Sequence, residues 1–260
     1  MQLQPAHRST RVMHSPNQNH LLAAVPTAEF EALLGDLELV PMTLGEVLHE
    51  PSQQLRHAYF PTTAVISLHY VTASGASAEI AGVGRDGMVG MALFLGGDTT
   101  SSSAVVHASG HGYRIERTAL QRAIKANSQL HRLLLRYTQA MLTQIAQTAA
   151  CYRHHSVEQQ LSRWLLATVD RSPPGELVMT QELVASLLGV RRESVTLAAA
   201  ALQESGCISY RRGHLTVISS VALQARACEC YAVVKLELQR LSTETLLRQD
   251  EIWASASLMS

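Results

Sequence analysis

The sequence predicts an α+β fold in which short antiparallel strands come first, one long helix follows and a small helical domain comes last. Eleven of the 15 glycines lie between Gly35 and Gly112, where they separate short β-rich runs. No glycine or proline occurs from Tyr113 to Ser172, which is typical of long helices. Gly189 then separates two helical patterns, which indicates two short helices joined by a tight turn.

Composition indicates a globular protein and excludes several classes. The chain has 260 residues, of which 47% are hydrophobic and 16% charged, so general disorder is excluded. No run of 18 apolar residues exists, which argues against a membrane span. Lys+Arg and Asp+Glu number 21 each. Residues 21–100 nevertheless hold nine acids and two bases (net −7), and residues 101–220 hold thirteen bases and seven acids (net +6). This asymmetry predicts an acidic module beside one that meets a polyanion.

The N-terminal segment and the cysteines indicate where the protein works. Residues 1–18 are polar and lack the apolar stretch of a secretory signal, so we expect a disordered tail. Four cysteines without a C-x-x-C motif predict no disulfide framework and a reducing, cytoplasmic setting. Cys228 and Cys230 lack a second ligand pair at zinc-like spacing. We therefore expect no metal site, with these two cysteines on a helix and His154-His155 in a polar hinge.

The strands are predicted within a domain of residues 19–127. Thr27 is expected to cap a short helix that precedes them. Turn signals such as Ser74-Gly75 separate the β-rich runs, which is typical of an antiparallel β-roll or sandwich. The predicted strands are Leu37–Pro41, Val47–His49, Ala64–Val71, Ala78–Val83 and Ala104–Ala108.

The long helix is predicted over residues 128–153. Its apolar side chains form one stripe at spacings of three and four, and a second apolar row lies beside it. Such a helix can pack on its own domain with one surface and on a partner helix with the other, although a helix buried between two domains of one chain would show the same pattern. We expect a dimer interface that includes Leu134, Tyr137, Met141, Ile145 and Thr148.

Residues 154–241 are predicted to form a winged helix-turn-helix domain. Thr180 is the expected N-cap of its first motif helix and Gly189 the C-cap, and the second helix starts near Arg191. In this motif the start of the second helix reaches base edges in the major groove. The expected base-reading residues are Arg191, Arg192, Glu193, Ser194 and Thr196.

A basic β-hairpin follows the motif. Residues 207–218 are predicted to form two short strands around the tip Arg211-Arg212-Gly213-His214. The basic side chains at such a tip would contact DNA phosphate groups. The expected phosphate contacts are Thr180, Gln181, Arg211, Arg212 and His214. One more helix is predicted over residues 220–241, followed by a polar tail at 242–260.

This order of modules resembles the Crp/Fnr family of bacterial transcription regulators over nearly all of residues 19–217. The resemblance implies a cyclic-nucleotide-binding-like β-roll, dimerisation through the long helix and recognition of a palindromic operator. Arg192 and Glu193 match the family's base-reading pair, Ser194 matches a small hydroxyl residue, and Leu197 stands where a further arginine is usual. The residues that carry the resemblance are Tyr59-Phe60-Pro61, Ala78-Glu79-Ile80, the Gly84–Gly90 turn, Leu133–Tyr137 and Gly189–Val195.

The sensor half departs from the family pattern. The glutamate that holds the ribose in cyclic-AMP-binding members falls near Met91 or Ala92, and Ser101-Ser102-Ser103 stands where an Arg-Ser or Arg-Thr pair holds the phosphate. A buried phosphate without that arginine lacks its charge-assisted partner, which argues against cyclic-AMP binding. The candidate effector pocket is Gly90, Met91, Ser101, Ser102 and Ser103. No cysteine precedes Cys151, so the family's iron–sulfur cluster is not expected, and no cofactor is assigned.

Two functional hypotheses follow. The first is a dimeric, sequence-specific DNA-binding regulator, whose partners would be double-stranded DNA, a second copy, RNA polymerase and a small effector. The second is a ligand-binding regulatory subunit that acts on a protein partner, which would have no use for the four arginines of motif and hairpin. An enzyme is not expected, because the sequence has no G-x-S-x-G, H-E-x-x-H or Walker motif.

Overall fold

The computed structural model describes residues 14–173 and 177–241, and it confirms the predicted fold class. The two predicted tails lie largely outside these residues. Residues 14–18 were assigned to the first tail, but Pro16–Gln18 form one turn of 3-10 helix. Ser15 and Gln18 form a capping box at this turn, in which the Ser15 N–H donates a hydrogen bond to Oε1 of Gln18 at 3.1 Å.

The N-terminal domain is an antiparallel β-roll of two sheets. Two short helices precede it, α1 (His20–Ala23) and α2 (Thr27–Leu34), and Pro26 rather than Thr27 is the N-cap of α2. One sheet has the order β1-β7-β3 and the other the order β2-β6-β4-β5. The strands are β1 (Leu37–Met42), β2 (Val47–His49), β3 (His57–Pro61), β4 (Val65–Val71), β5 (Ser77–Val83), β6 (Ser103–Ala108) and β7 (Gly110–Glu116).

Strand β7 lies in the middle of its sheet although it contains two glycines. A Cβ at Gly110 would lie 2.4 Å from the backbone nitrogen of Ala64, and one at Gly112 would lie 2.5 Å from Cε of Met42. These glycines therefore allow other segments of the same chain to approach the strand closely, and they do not mark turns. That is why glycine punctuation did not predict this strand.

Two helices connect the roll to the C-terminal domain. Helix α3 (Arg117–Ala126) covers the end of β7, and α4 (Ser128–His154) matches the predicted long helix within one residue. One side of α4 packs in the core of the β-roll, where Leu134, Tyr137 and Met141 are fully buried. The Tyr137 hydroxyl donates a hydrogen bond to the carbonyl of Met88 at 2.9 Å. Helix α4 is therefore part of the core of the β-roll.

The C-terminal domain has its own core. Helix α5 (Val157–Arg171) begins at Ser156 with a capping box to Gln159 and contributes Trp164. The remaining elements are β8 (Leu177–Val178), α6 (Gln181–Leu188), α7 (Arg192–Glu204), β9 (Ile208–Arg211), β10 (His214–Val217), α8 (Ser220–Arg226) and α9 (230–241). Strands β8, β10 and β9 form an antiparallel sheet, so the predicted hairpin is present.

The last predicted helix is two helices instead of one. The chain is extended at Ala227, and α9 starts at residue 230. This break lets Leu223 and Tyr231 pack in the C-terminal core while Leu241 joins the core of the β-roll. Cys228 lies in the break rather than on a helix. Among residues 14–173 and 177–241, no helix is long and apolar enough to cross a membrane.

Candidate DNA interface and its coupling to the β-roll

The helix-turn-helix has the predicted caps. The Thr180 side chain accepts a hydrogen bond from the backbone N–H of Leu183 at 3.1 Å, which makes it the N-cap of α6. Gly189 ends α6 in the left-handed conformation, with φ 66°. Arg191 is the N-cap of α7, so the second helix starts one residue later than predicted.

The start of α7 presents the predicted base-reading side chains. Arg191, Arg192 and Glu193 are exposed, whereas Ser194 is half-buried. The Thr196 hydroxyl lies 2.8 Å from Oε1 of Gln181, so these two residues brace each other across the turn. An exposed arginine and glutamate at a helix start can reach guanine and cytosine edges.

Leu197 continues the same exposed surface and is 73% exposed. It stands where the family resemblance placed a further arginine. An apolar side chain on a recognition helix can contact the methyl group of thymine. The sequence showed only that this position departs from the family pattern. That the leucine is exposed follows from the fold, because Val195 and Ala198 pack on the other side of α7.

The hairpin tip is a tight two-residue turn. Arg212 and Gly213 both have positive φ, 50° and 83°, as in a type I′ turn. Arg211 and His214 face each other across the hairpin and, with Arg212, are exposed. Among the residues that the structure describes, no ion pair joins Arg211 or Arg212 to an acid. Both cations are therefore available to a phosphate.

The candidate effector residues each pack or hydrogen-bond with neighbours in the β-roll. Gly90 is packed against Ala58 at φ 104°, and Met91 starts a 3-10 turn beside the core. Ser101 contacts the Tyr70 hydroxyl, Ser102 lies 3.1 Å from the hydroxyl of Thr100, and Ser103 pairs with His69 in the sheet. The three serines thus use their polar groups locally.

A polar contact joins the β-roll to the C-terminal domain. Glu79 on β5 is buried and accepts hydrogen bonds from Ser67 and, at 3.0 Å, from Nε1 of Trp164 on α5. The Tyr152 hydroxyl lies 3.0 Å from the Glu79 carbonyl and 3.2 Å from the Leu187 carbonyl of α6. Helix α6 is thereby held against the edge strand β5. The sequence singled out Glu79 only as part of Ala78-Glu79-Ile80, because its partner Trp164 lies 85 positions away along the chain.

Glu79 and His107 form a titratable pair at this contact. Burial raises the pKa of the Glu79 carboxyl from 4.5 to about 7, although Arg171 and Arg163 oppose the change. Burial lowers the pKa of the His107 imidazole from 6.5 to about 3, and Arg171 and His69 add to that effect. Nδ1 of His107 lies 3.9 Å from Oε2 of Glu79. In the folded state the pair therefore holds one proton between about pH 3 and pH 7.

We expect Glu79→Gln to make the protein acid-sensitive. In the unfolded wild-type chain this pair also holds one proton between pH 4.5 and 6.5, which sits on His107. The folded and unfolded states then bind the same number of protons, so the pair does not make the free energy of unfolding depend on pH in this range. In the variant, folding keeps His107 neutral while the unfolded chain protonates it below pH 6.5. Lowering the pH from 7 to 5 should then cost the variant about 2 kcal/mol more unfolding free energy than the wild type, measured in urea.

The companion variant His107→Asn should show the opposite trend. Glu79 alone then binds a proton more tightly in the folded state, so stability is present below pH 4.5 and is lost as the pH rises towards 7. Parallel stability curves for the wild type and both variants would contradict the assignment of one shared proton.

A cavity of about 270 Å³ lies beside the Glu79 contact. Its wall combines the β-roll, α4, α5 and α9, through Glu79, His107, Gln144, Arg163 and Lys235 among others. None of the five candidate effector residues lines it. Arg171, buried at its edge, is held by Asp86 at 2.8 Å and by Gln144 at 3.0 Å. A small molecule in this cavity would touch both domains.

The five residues expected at a dimer interface pack against the rest of their own chain instead. Leu134, Tyr137, Met141 and Thr148 are at most 4% exposed, and Ile145 is half-buried against the β-roll core. The other apolar row of α4 is exposed, with Leu135 at 46% and Leu142 at 63%. Ala146 and Ala149 continue this row at helical spacing. The sequence contained both rows, but it could not say which one packs on the roll.

Known proteins share both the domain and the fold. The family model of the Crp-like helix-turn-helix domain matches residues 159–226. A protein of Eubacterium rectale assigned to the Crp/Fnr family of transcriptional regulators is 15% identical, with a TM-score of 0.62 over 80% of this chain and 98% of its own. FixK2 of Bradyrhizobium japonicum is 14% identical, with a TM-score of 0.58 over 74% and 98%.

A third similar structure is that of the c-di-GMP-responsive global regulator CLP of Xanthomonas campestris. It is 16% identical, with a TM-score of 0.58 over 75% of this chain and 100% of its own. Among curated protein sequences, none matches this chain. The chain therefore has the fold of the Crp/Fnr transcriptional regulators and carries a Crp-like helix-turn-helix DNA-binding domain.

Proposed function

We propose that the protein is a dimeric transcription regulator that binds a palindromic operator, with the start of α7 in the major groove. The observation that carries this proposal is the exposed pair Arg192-Glu193 at the start of α7, together with the exposed cations of the hairpin. In this proposal Arg192 and Glu193 read base edges, and the cations of the hairpin hold phosphate groups. Such a protein acts where the DNA is, in the cytoplasm of a bacterial cell, and RNA polymerase is a further partner that the family resemblance suggests.

The dimer forms through the exposed row of α4 in this proposal. Leu135, Leu142, Ala146 and Ala149 follow one another at spacings of seven, four and three, which keeps them on one side of the helix. Two copies of this row can pack against each other without disturbing the core of either chain. The two recognition helices would then meet half-sites about one helical turn apart.

We also propose that a small ligand regulates DNA binding and that it binds in the cavity between the domains. A ligand there would bear on Glu79 and Trp164, which hold the C-terminal domain against the roll. The alternative function is a ligand-binding subunit that acts on a protein partner. It is less well supported, because it gives no role to the exposed arginines of α7 and of the hairpin.

The proposed function is tested by retention of genomic DNA. Purified protein without added ligand is mixed with sheared DNA of its source organism, and the retained fragments are sequenced. Enrichment of a palindrome with half-sites about one helical turn apart is expected. No enrichment, either alone or with extracts of small metabolites added, would reject the DNA-binding proposal.

We expect Arg211→Ala and Arg212→Ala to weaken binding to all DNA sequences by a similar factor. Each removes one phosphate contact per chain and two per dimer, so the slope of log affinity against log salt should become shallower by about 2. Titration of specific and random duplexes at several salt concentrations measures both effects.

The matched control for the hairpin is Arg132→Ala, which removes the same charge from an exposed position on α4. It should leave the salt slope unchanged. A loss confined to one operator base in Arg211→Ala or Arg212→Ala would contradict a phosphate role.

A further inference from the structure

Four potential metal ligands meet where the end of α4 lies against the start of α9. Cys151 and His155 belong to the end of α4, one helical turn apart, and the His155 N–H donates to the Cys151 carbonyl at 3.0 Å. Cys228 and Cys230 lie in and just after the break between α8 and α9. One ligand atom from each residue, three sulfurs and a ring nitrogen, lies within 4.8 Å of all the others.

The distances among these atoms fit one tetrahedral metal ion. The sulfurs of Cys151 and Cys228 are 3.6 Å apart, and Sγ of Cys230 is 3.6 Å from Nδ1 of His155. Around tetrahedral zinc, with bonds of about 2.3 Å to sulfur and 2.0–2.1 Å to nitrogen, ligand atoms lie about 3.6–3.8 Å apart. A disulfide needs sulfurs at about 2.05 Å, and the four cysteines are free. A two-iron cluster would spread its ligands over two metal atoms.

The surroundings also suit a bound cation. Nε2 of His155 lies 3.4 Å from a carboxylate oxygen of Glu229. A histidine that ligates through one nitrogen characteristically donates its other N–H to a carboxylate, which fixes the ring and the tautomer. The three cysteines are buried in a small cluster of their own, at most 6% exposed.

We propose that Cys151, His155, Cys228 and Cys230 bind one zinc ion as a Cys₃His structural site. The sequence predicted no metal here, because the spacing from 155 to 228 offered no reason to bring the two pairs together. The break between α8 and α9 brings them together. The ion ties the junction between α4 and α5 to the start of α9, and thereby joins the helix of the β-roll to the C-terminal domain.

The test is the metal content of the full chain. Protein made with zinc in the medium and purified under reducing conditions without chelators should contain about one zinc per chain. Cys228→Ser and His155→Ala should each contain less than about a tenth of that. The matched controls are Cys207→Ser, which removes a buried cysteine outside the cluster, and His154→Ala, which removes the neighbouring histidine; both should retain the metal.

Cobalt provides a readout that does not depend on the stability of any variant. Wild-type protein stripped of metal and titrated with Co²⁺ should show thiolate-to-cobalt charge transfer and the intense visible bands of tetrahedral cobalt, saturating at one ion per chain. Glu229→Gln should weaken binding about 10-fold, because it removes only the outer partner of His155. Wild-type protein that binds no Zn²⁺ or Co²⁺, or Cys228→Ser that binds as much as the wild type, would overturn the proposal.

Discussion

Leu142→Glu is expected to yield a folded monomer that binds a palindromic operator about 10²–10⁴-fold more weakly than the wild type. Leu142 is 63% exposed in the single chain, so a glutamate there is solvated and leaves the core intact. In the proposed dimer, by contrast, two carboxylates would be buried against each other across the helix pair, which is costly. The loss of affinity follows because one chain then holds only one half-site and the effective concentration of the second is lost. Sedimentation and operator titration measure the two effects.

The neighbouring residue distinguishes the interface from the core. Met141 is 1% exposed and packs in the β-roll, so Met141→Glu should unfold the domain rather than split a folded dimer. Leu39→Glu, at an exposed leucine of β1, should change neither oligomeric state nor operator affinity. A Leu142→Glu protein that sediments as a dimer would show that another surface holds the two copies together.

The two rows of α4 also show how far a sequence can lead. Periodicity located the helix almost to the residue, because apolar residues at spacings of three and four over 27 residues match the period of a helix and not that of a strand. It could not assign the rows, since Tyr137 and Leu142 look equally suitable for a partner helix. The assignment of the two rows depends on which side of α4 the glycine-rich turn Gly84–Gly90 contacts. A Cβ at Gly87 would lie 2.3 Å from the Tyr137 hydroxyl, so this turn is shaped to receive Tyr137.

The local structure of the candidate DNA interface was predictable for a different reason. Caps, turn and hairpin are local features: Thr180, Gly189 and the Arg212-Gly213 tip each act within a few residues of chain. The contacts that join the domains are not local. The bond from Trp164 to Glu79 spans 85 positions, and the sulfurs of Cys151 and Cys228 are 77 positions apart. No pattern of spacing in one sequence reports such pairs.

Removing Arg192 should have the largest effect on sequence recognition. We expect Arg192→Ala to lower operator affinity by about 1–3 kcal/mol per half-site, or roughly 5- to 150-fold for each, because a fork of two hydrogen bonds to one guanine is lost in each half-site. Affinity for random DNA should fall much less, since only one charge is removed. Glu193→Ala should behave differently: removing a negative charge near phosphate raises affinity for random DNA, while discrimination at the base that Glu193 reads is lost.

Comparing the two variants separates base reading from mere attraction of charge. If both arginine and glutamate read bases, selection of operators by each variant should relax the preference at one position of each half-site and leave the others unchanged. If Arg192 only attracts the polyanion, Arg192→Ala will weaken every sequence equally, as is expected of Arg211→Ala. The exposure of Leu197 adds a further test within the same selection. Leu197→Ala should relax a preference for thymine without changing the salt slope, because the contact it loses is to a methyl group and not to phosphate.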